Sequence, residues 1–135
     1  MKKDAFRELV LLIDYLRSPK GCPWDRRQTH KSLRKYIKEE TSEVISAINK
    51  GKPHALEEEL GDVLLQVMLH AQIAKENREF DIDDVIKTLI KKLKRRHPHV
   101  FGSVKVKSIK DIKTNWEKIK KQEKLKKKKP TPRPS

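Results

Sequence analysis

The segment EETSEVISAINKGKPHALEEELGD, residues 39–62, places seven carboxylates on the two sides of a glycine and a proline. Apolar residues recur at helical spacing before Gly51, and Gly51 suits the left-handed position that follows a helix. Pro53 suits the first turn of the next helix. Because only residues 51–53 join the two predicted helices, we expect an antiparallel hairpin.

The acidic residues of this hairpin are predicted to meet across it. Residues equally far in sequence from Gly51 stand at the same height, which places Glu43 opposite Glu59 and Glu40 opposite Asp62. At 100° per residue, Glu40 lies on the apolar stripe of its helix, and Glu59 and Asp62 share one face of the next helix. We therefore expect four carboxylates to converge within about one helical turn.

Four carboxylates in one groove repel each other, so the groove needs a cation. Lysine or arginine side chains are one possible partner, and hard divalent cations are the other. An all-oxygen donor set without histidine at metal spacing suits Mg²⁺ or Mn²⁺ and argues against zinc. A ferritin-like di-iron bundle would need a Glu-x-x-His pair on two helices, and here the third-position partners are Glu43 and Asp62.

The rest of the chain predicts an all-α fold, an antiparallel helical bundle of about five helices. The loop SPKGCPWDRRQ, residues 18–28, separates the first two helices because it is rich in turn formers. The five predicted helices run over Asp4–Arg17, from an N-cap at Thr29 to about Lys50, from Pro53 to about Asn77, from Asp81 to His97, and from Ser108 to about Lys128.

The third predicted helix is apolar around most of its circumference, as LGDVLLQVMLHAQIA at residues 60–74 shows. Such a helix must be buried on nearly all sides. Four other short helices can hardly enclose it, so we expect the bundle to be completed by oligomerisation, as a homodimer or homotetramer.

Charge and composition predict where the domain ends and where in the cell the protein acts. The net charge is +15, and residues 118–135 hold eight lysines and one arginine against one glutamate. We expect residues 1–123 to form the domain and residues 124–135 to be a basic, disordered tail, either solvated or in contact with RNA or another polyanion. The single cysteine and the absence of a long apolar run favour a cytoplasmic protein without a membrane span.

Two further sets of residues are candidates for ligand binding. Lys92, Arg95 and Arg96 share one helical face, which suits either phosphate oxygens or solvent. Trp24 offers a ring that could stack on a base, or it could close the end of the bundle.

Taken together, these motifs resemble the MazG family of nucleoside triphosphate pyrophosphohydrolases, in the all-α NTP pyrophosphohydrolase superfamily. The family's EExxE and ExxD motifs correspond to EETSE at 39–43 and ELGD at 59–62. The similarity extends over about residues 5–123, through GCPWDRRQT at 21–29, RRHPHVF at 95–101, Trp116 and Lys120.

The resemblance implies a reaction and a set of residue roles. The reaction is hydrolysis of a nucleoside triphosphate to the monophosphate and pyrophosphate, in nucleotide-pool control or housecleaning, with Mg²⁺ as cofactor and Mn²⁺ as a substitute. The implied magnesium ligands are Glu40, Glu43, Glu59 and Asp62. Glu39 would orient or activate water. The implied substrate-binding residues are Lys92, Arg95 and Arg96 at the triphosphate, with Trp116 and Lys120 closing the nucleotide site. The alternative function is that of a non-catalytic regulatory or RNA-binding protein that acts through the basic tail. A third hypothesis is that the acids have a purely structural role as salt-bridge partners.

Overall fold

The computed structural model describes residues 4–127, and in this part of the chain all regular structure is helical. This confirms the predicted all-α class. Five long helices correspond to the predicted ones: α1 (Ala5–Leu16), α3 (His30–Lys50), α4 (Pro53–Glu76), α5 (Ile82–Arg96) and α7 (Ile109–Lys127). Two short helices, α2 (Pro23–Arg27) and α6 (Pro98–Phe101), lie between them.

The helix ends follow the predicted capping pattern. The Thr29 hydroxyl accepts a hydrogen bond from the Ser32 backbone N–H at 3.0 Å, and the Ser32 hydroxyl accepts one from the Thr29 backbone N–H at 2.8 Å. Together these two bonds form a capping box. Asp81 caps α5 by accepting from the Asp84 N–H at 2.9 Å. Gly51 has a φ of 65°, the left-handed conformation that its position after α3 requires.

The two short helices differ from the loops that the sequence led us to expect. Each begins at a proline, Pro23 or Pro98, whose fixed φ favours the first turn of a helix. At the other end of the chain, α7 continues through Lys127. The first four residues of the predicted disordered tail are therefore helical, and residues 128–135 lie outside the described part of the structure.

The chain divides into two compact units, one up to Val85 and one from Ile86 onward. The core of the first unit joins α1, α3 and α4 through Ile13, Leu33, Met68, Leu69 and Ile73. The C-terminal half of α4 is buried by this chain, whereas Leu60 and Leu64 in its N-terminal half are 51% and 42% exposed. The sequence predicted that α4 is buried on nearly all sides. Within this chain, only the C-terminal half of α4 is buried in this way.

Arg17 fixes the loop between α1 and α3, and nothing in its sequence context indicated this role. Its guanidinium donates to both carboxylate oxygens of Glu76, with Nε to Oε2 at 2.9 Å and Nη2 to Oε1 at 3.0 Å. Its Nη1 donates to the backbone carbonyls of Asp25 and Gln28. One buried side chain therefore ties the end of α1 and the loop around α2 to the end of α4.

A pair of histidines connects the start of α3 to the middle of α4. The Nδ1 atoms of His30 and His70 are 2.7 Å apart, and the two rings are nearly parallel, at 3°. At this distance the two rings form a hydrogen bond, in which the Nδ1–H of one ring donates to the Nδ1 of the other. Burial and then the charge of His30 lower the pKa of His70, which favours the neutral ring in the folded protein.

Candidate active site

The α3–α4 hairpin brings three carboxylates together. Glu40 on α3 and Glu59 and Asp62 on α4 each place one oxygen so that all three lie within 4.8 Å of one another. Glu40 and Glu59 are half-buried, and Asp62 is exposed. Glu59 and Asp62 are three residues apart on one helix face, and the two-residue connection between the helices places Glu40 opposite them.

The other two acids of the EETSE motif lie beside this cluster. Glu43 is exposed, and its charge raises the pKa of both Glu40 and Glu59. Glu39 is also exposed, and its charge acts on Glu40. The structure thus unites three of the four carboxylates that the sequence indicated, with Glu43 near them but outside the three-oxygen cluster.

The carboxylates of the cluster have no basic partner among the residues that the structure describes. Burial, followed by the charge of Asp62, raises the pKa of Glu40 and of Glu59. Within residues 4–127, the ion pairs at 4.0 Å or less join other residues, and no lysine, arginine or histidine nitrogen pairs with the acids of either motif. The alternative of a lysine or arginine partner finds no support in the described structure.

These residues fit a hard divalent cation. Mg²⁺ binds oxygens at 2.0–2.1 Å in an octahedron, so neighbouring ligand oxygens lie roughly 3 Å apart and opposite ones roughly 4 Å apart. Three carboxylate oxygens within 4.8 Å need only small side-chain rotations to reach that geometry. Their donor chemistry matches Mg²⁺ or Mn²⁺, because neither sulfur nor imidazole takes part in the cluster.

Trp24 on α2 lies against α3, one turn before Glu40. Its ring meets the Tyr36 ring edge-on, with 5.7 Å between the centroids and 74° between the planes. Trp24 remains 51% exposed, so it does not close the end of the bundle as a buried plug. Much of the indole surface is therefore available to a ligand.

The predicted phosphate-binding residues lie in the second unit. Arg96 and Trp116 are brought together there, with the guanidinium carbon 5.9 Å from the centroid of the indole ring. The His97 ring also contacts the Trp116 ring edge-on, with 5.2 Å between the two ring centroids. Lys92 on α5 and Lys120 on α7 are half-buried, and Arg95 is exposed.

Sequence reasoning missed Glu123, which contacts both arginines. Its carboxylate accepts from Arg95 Nε at 2.7 Å and from Arg96 Nη2 at 2.9 Å. A signal was present, since Glu123 is the one acidic residue among the lysines of residues 118–135.

Comparison with known protein families identifies the domain. The family model of the MazG nucleotide pyrophosphohydrolase domain matches residues 28–101. The chain belongs to the MazG family. The matched segment contains the three clustered carboxylates and both arginines, whereas Trp116 and Glu123 lie beyond it.

Individual MazG relatives are similar over most of this chain. It is 57% identical over 123 residues to the nucleoside triphosphate pyrophosphohydrolase/pyrophosphatase MazG of Thermotoga maritima, covering 91% of this chain and 47% of that protein. It is 41% identical over 120 residues to the nucleoside triphosphate pyrophosphohydrolase of Escherichia coli K12, covering 88% and 46%. The chain thus spans about half the length of these curated relatives.

A solved MazG structure shares the fold. The crystal structure of a mazG-related protein from Thermotoga maritima matches with a TM-score of 0.69 and 29% identity, over 87% of this chain and 99% of that one. Among the helices of residues 4–127, none combines the length and apolar character needed to cross a membrane.

Proposed function

We propose that this protein hydrolyses nucleoside triphosphates to nucleoside monophosphates and pyrophosphate in a Mg²⁺-dependent reaction, acting on cytoplasmic nucleotide pools. The observation that carries the proposal is the cluster of Glu40, Glu59 and Asp62, whose charge no described side chain neutralises, in a MazG-family domain. The names of the Thermotoga and Escherichia relatives, both nucleoside triphosphate pyrophosphohydrolases, support the choice of reaction.

The acids of the hairpin would bind the metal ion. Glu40, Glu59 and Asp62 would hold the ion, with Glu43 as a fourth ligand or as a partner of a coordinated water. Bound Mg²⁺ would supply positive charge to the phosphates and lower the pKa of a coordinated water. Glu39 is exposed beside Glu40 and would accept a hydrogen bond from the attacking water.

The basic residues of the second unit would bind the triphosphate. Phosphoryl-type transfer requires chiefly positioning and neutralisation of charge, so Lys92, Arg95 and Arg96 would stabilise the phosphate oxygens and the leaving pyrophosphate. Lys120 would add a further cation. Trp116, and Trp24 with its exposed ring face, would contact the nucleoside.

A product assay tests the reaction. We expect purified protein, incubated with Mg²⁺ and each common ribo- and deoxyribonucleoside triphosphate, to release monophosphate and pyrophosphate from at least one of them, with Mn²⁺ able to replace Mg²⁺. Chromatography of the nucleotides distinguishes this outcome from release of diphosphate and phosphate, which would contradict the proposal, as would absence of turnover.

The basic C-terminal residues give the competing function a separate test. A protein that acts by binding RNA through this end should lose affinity steeply as salt rises, because binding releases counterions from the phosphates. It should lose binding altogether when the predicted tail, residues 124–135, is removed. Hydrolysis by the truncated protein at an unchanged rate would favour the enzyme.

We further propose that the first unit pairs with a second copy. Apolar side chains are exposed on adjacent helices of this unit, and monomers rarely expose large contiguous apolar surface. The exposed set on α3 and α4 is Ile37, Ile45, Ile48, Leu60 and Leu64. Leu60 and Leu64 are four residues apart on α4 and therefore share one face of that helix.

The oligomer prediction can be tested with one charged substitution. We expect Leu64→Lys to dissociate the dimer or tetramer, because a buried lysine would lack a partner. Sedimentation equilibrium measures the change. The control is Ile109→Lys on α7, where the native side chain is 72% exposed. A monomeric native protein, or an oligomer that survives Leu64→Lys, would contradict the proposal.

A further inference from the structure

Glu123 is the centre of a charge cluster in the second unit. Its Oε1 accepts from Arg95 Nε at 2.7 Å and from Arg96 Nε at 3.4 Å, and its Oε2 accepts from Arg96 Nη2 at 2.9 Å. The Glu123 side chain is only 13% exposed. Hydrogen bonds from Arg96 and then from Arg95 lower the pKa of Glu123 to about 2, so the carboxylate is ionised at any pH near neutrality.

The two arginines need such a partner to stay together. They are consecutive in sequence at the end of α5, and two neighbouring guanidinium groups repel each other. Each long side chain also has many accessible rotamers when it is unpaired. A carboxylate that accepts from both offsets the repulsion and removes much of that freedom before any ligand arrives.

Glu123 leaves the outer donors of both arginines available. It binds the Nε atoms and one terminal nitrogen, while Arg95 Nη1, Arg95 Nη2 and Arg96 Nη1 donate to no other described residue. Two guanidinium groups with one carboxylate retain a net positive charge. The Trp116 ring lies beside the Arg96 guanidinium, 5.9 Å from its carbon, and limits its movement on a second side.

We propose that Glu123 is a positioning residue that holds Arg95 and Arg96 in the orientation that receives the triphosphate. This inference rests on the proposed function, since it takes the two arginines as phosphate ligands. Glu123 acts through the arginines and does not touch the substrate. Without it, each nucleotide that binds must immobilise two mobile side chains itself.

The first test is Glu123→Gln, which keeps the shape of the side chain and removes its charge. We expect KM for the nucleoside triphosphate to rise about tenfold, the cost of ordering one or two long side chains on binding, with kcat within about twofold of the native value. The matched control is Glu117→Gln, an exposed acid on the same helix that makes no ion pair with a described residue. Its kinetic constants should not change.

A background without the arginines separates positioning from a general structural effect. In Arg95→Gln/Arg96→Gln protein, Glu123→Gln should leave the affinity for a non-hydrolysable triphosphate unchanged, because coupled residues do not contribute additively. An equal loss of affinity in both backgrounds would overturn the proposal. So would a lower KM in Glu123→Gln, which would make Glu123 a competitor of the phosphates.

Two provisions keep the experiment decisive. If Glu123→Gln reduces the helical circular dichroism, Glu123→Met removes the carboxylate with an apolar side chain of similar length, and an unchanged KM in that folded variant would overturn the proposal. If the native protein hydrolyses no triphosphate, the proposed function fails. If the native enzyme is active and Glu123→Gln has the same KM as Glu117→Gln, the positioning role is wrong and the proposed function stands.

Discussion

Replacement of Glu40 by glutamine is expected to raise the melting temperature of the metal-free protein. Burial and the charges of Asp62 and Glu59 raise the pKa of Glu40 above 4.5, so the folded state binds its proton more tightly than the unfolded chain does. Stability from this group is therefore fully present below pH 4.5 and is lost as the pH rises through the raised pKa. At neutral pH the ionised side chain destabilises the fold, and its neutral isostere should relieve that repulsion.

The same substitution should abolish the response to Mg²⁺. A cation that binds only the folded state adds about 2.7 kcal/mol to the free energy of unfolding at one hundred times its Kd, and Glu40→Gln should lose this gain. Hydrolysis should fall on the order of a hundredfold or more, since the metal supplies several kcal/mol of transition-state stabilisation. Thermal melts with and without Mg²⁺, and the product assay, measure both effects.

The control for this prediction is Glu57→Gln, which alters an exposed acid on the same hairpin outside the cluster. It should change neither the metal-free melting temperature nor the gain with Mg²⁺. A Glu40→Gln protein that behaves like this control in both measurements would show that the cluster is ordinary surface charge.

The carboxylate hairpin was predictable because its determinants are local. Gly51 and Pro53 fix where one helix ends and the next begins, and a connection of two residues, 51 and 52, leaves little choice of register. Counting from Gly51 therefore places Glu40 with Asp62, which the structure confirms by uniting both with Glu59. Helical spacing does not set side-chain rotamers, so it could not tell that Glu43 lies outside the cluster.

Contacts between residues distant in sequence could not be predicted in this way. Arg17 and Glu76 are 59 positions apart, and neither stands in a distinctive local pattern. Their meeting depends on how α1 packs against α4, which the apolar periodicity of one helix does not determine. Glu123 on α7 likewise contacts Arg95 and Arg96 on α5, which are 28 and 27 positions away.

Arg17→Met is expected to cause a large loss of stability in the first unit. The native side chain is 6% exposed and pairs with Glu76, whose side chain is 38% exposed. Removal of the guanidinium also leaves the carbonyls of Asp25 and Gln28 without their donor. Broken buried pairs cost about 3–5 kcal/mol, and because water can reach Glu76 we expect about 3 kcal/mol here, or a melting temperature lower by roughly 10 °C.

The dependence of this loss on pH identifies the ion pair as its cause. The hydrogen bond from Arg17 lowers the pKa of Glu76 below 4.5, against the opposing effect of burial. The stability that this pair contributes is present above pH 4.5 and is lost as the pH falls through the lowered pKa. The difference between native protein and Arg17→Met in urea unfolding should therefore shrink in acid. The control Arg26→Met removes an exposed arginine from α2 and should have the same free energy of unfolding as the native protein at every pH. A loss of stability in Arg17→Met that does not vary with pH would show that packing, and not the charge pair, is its cause.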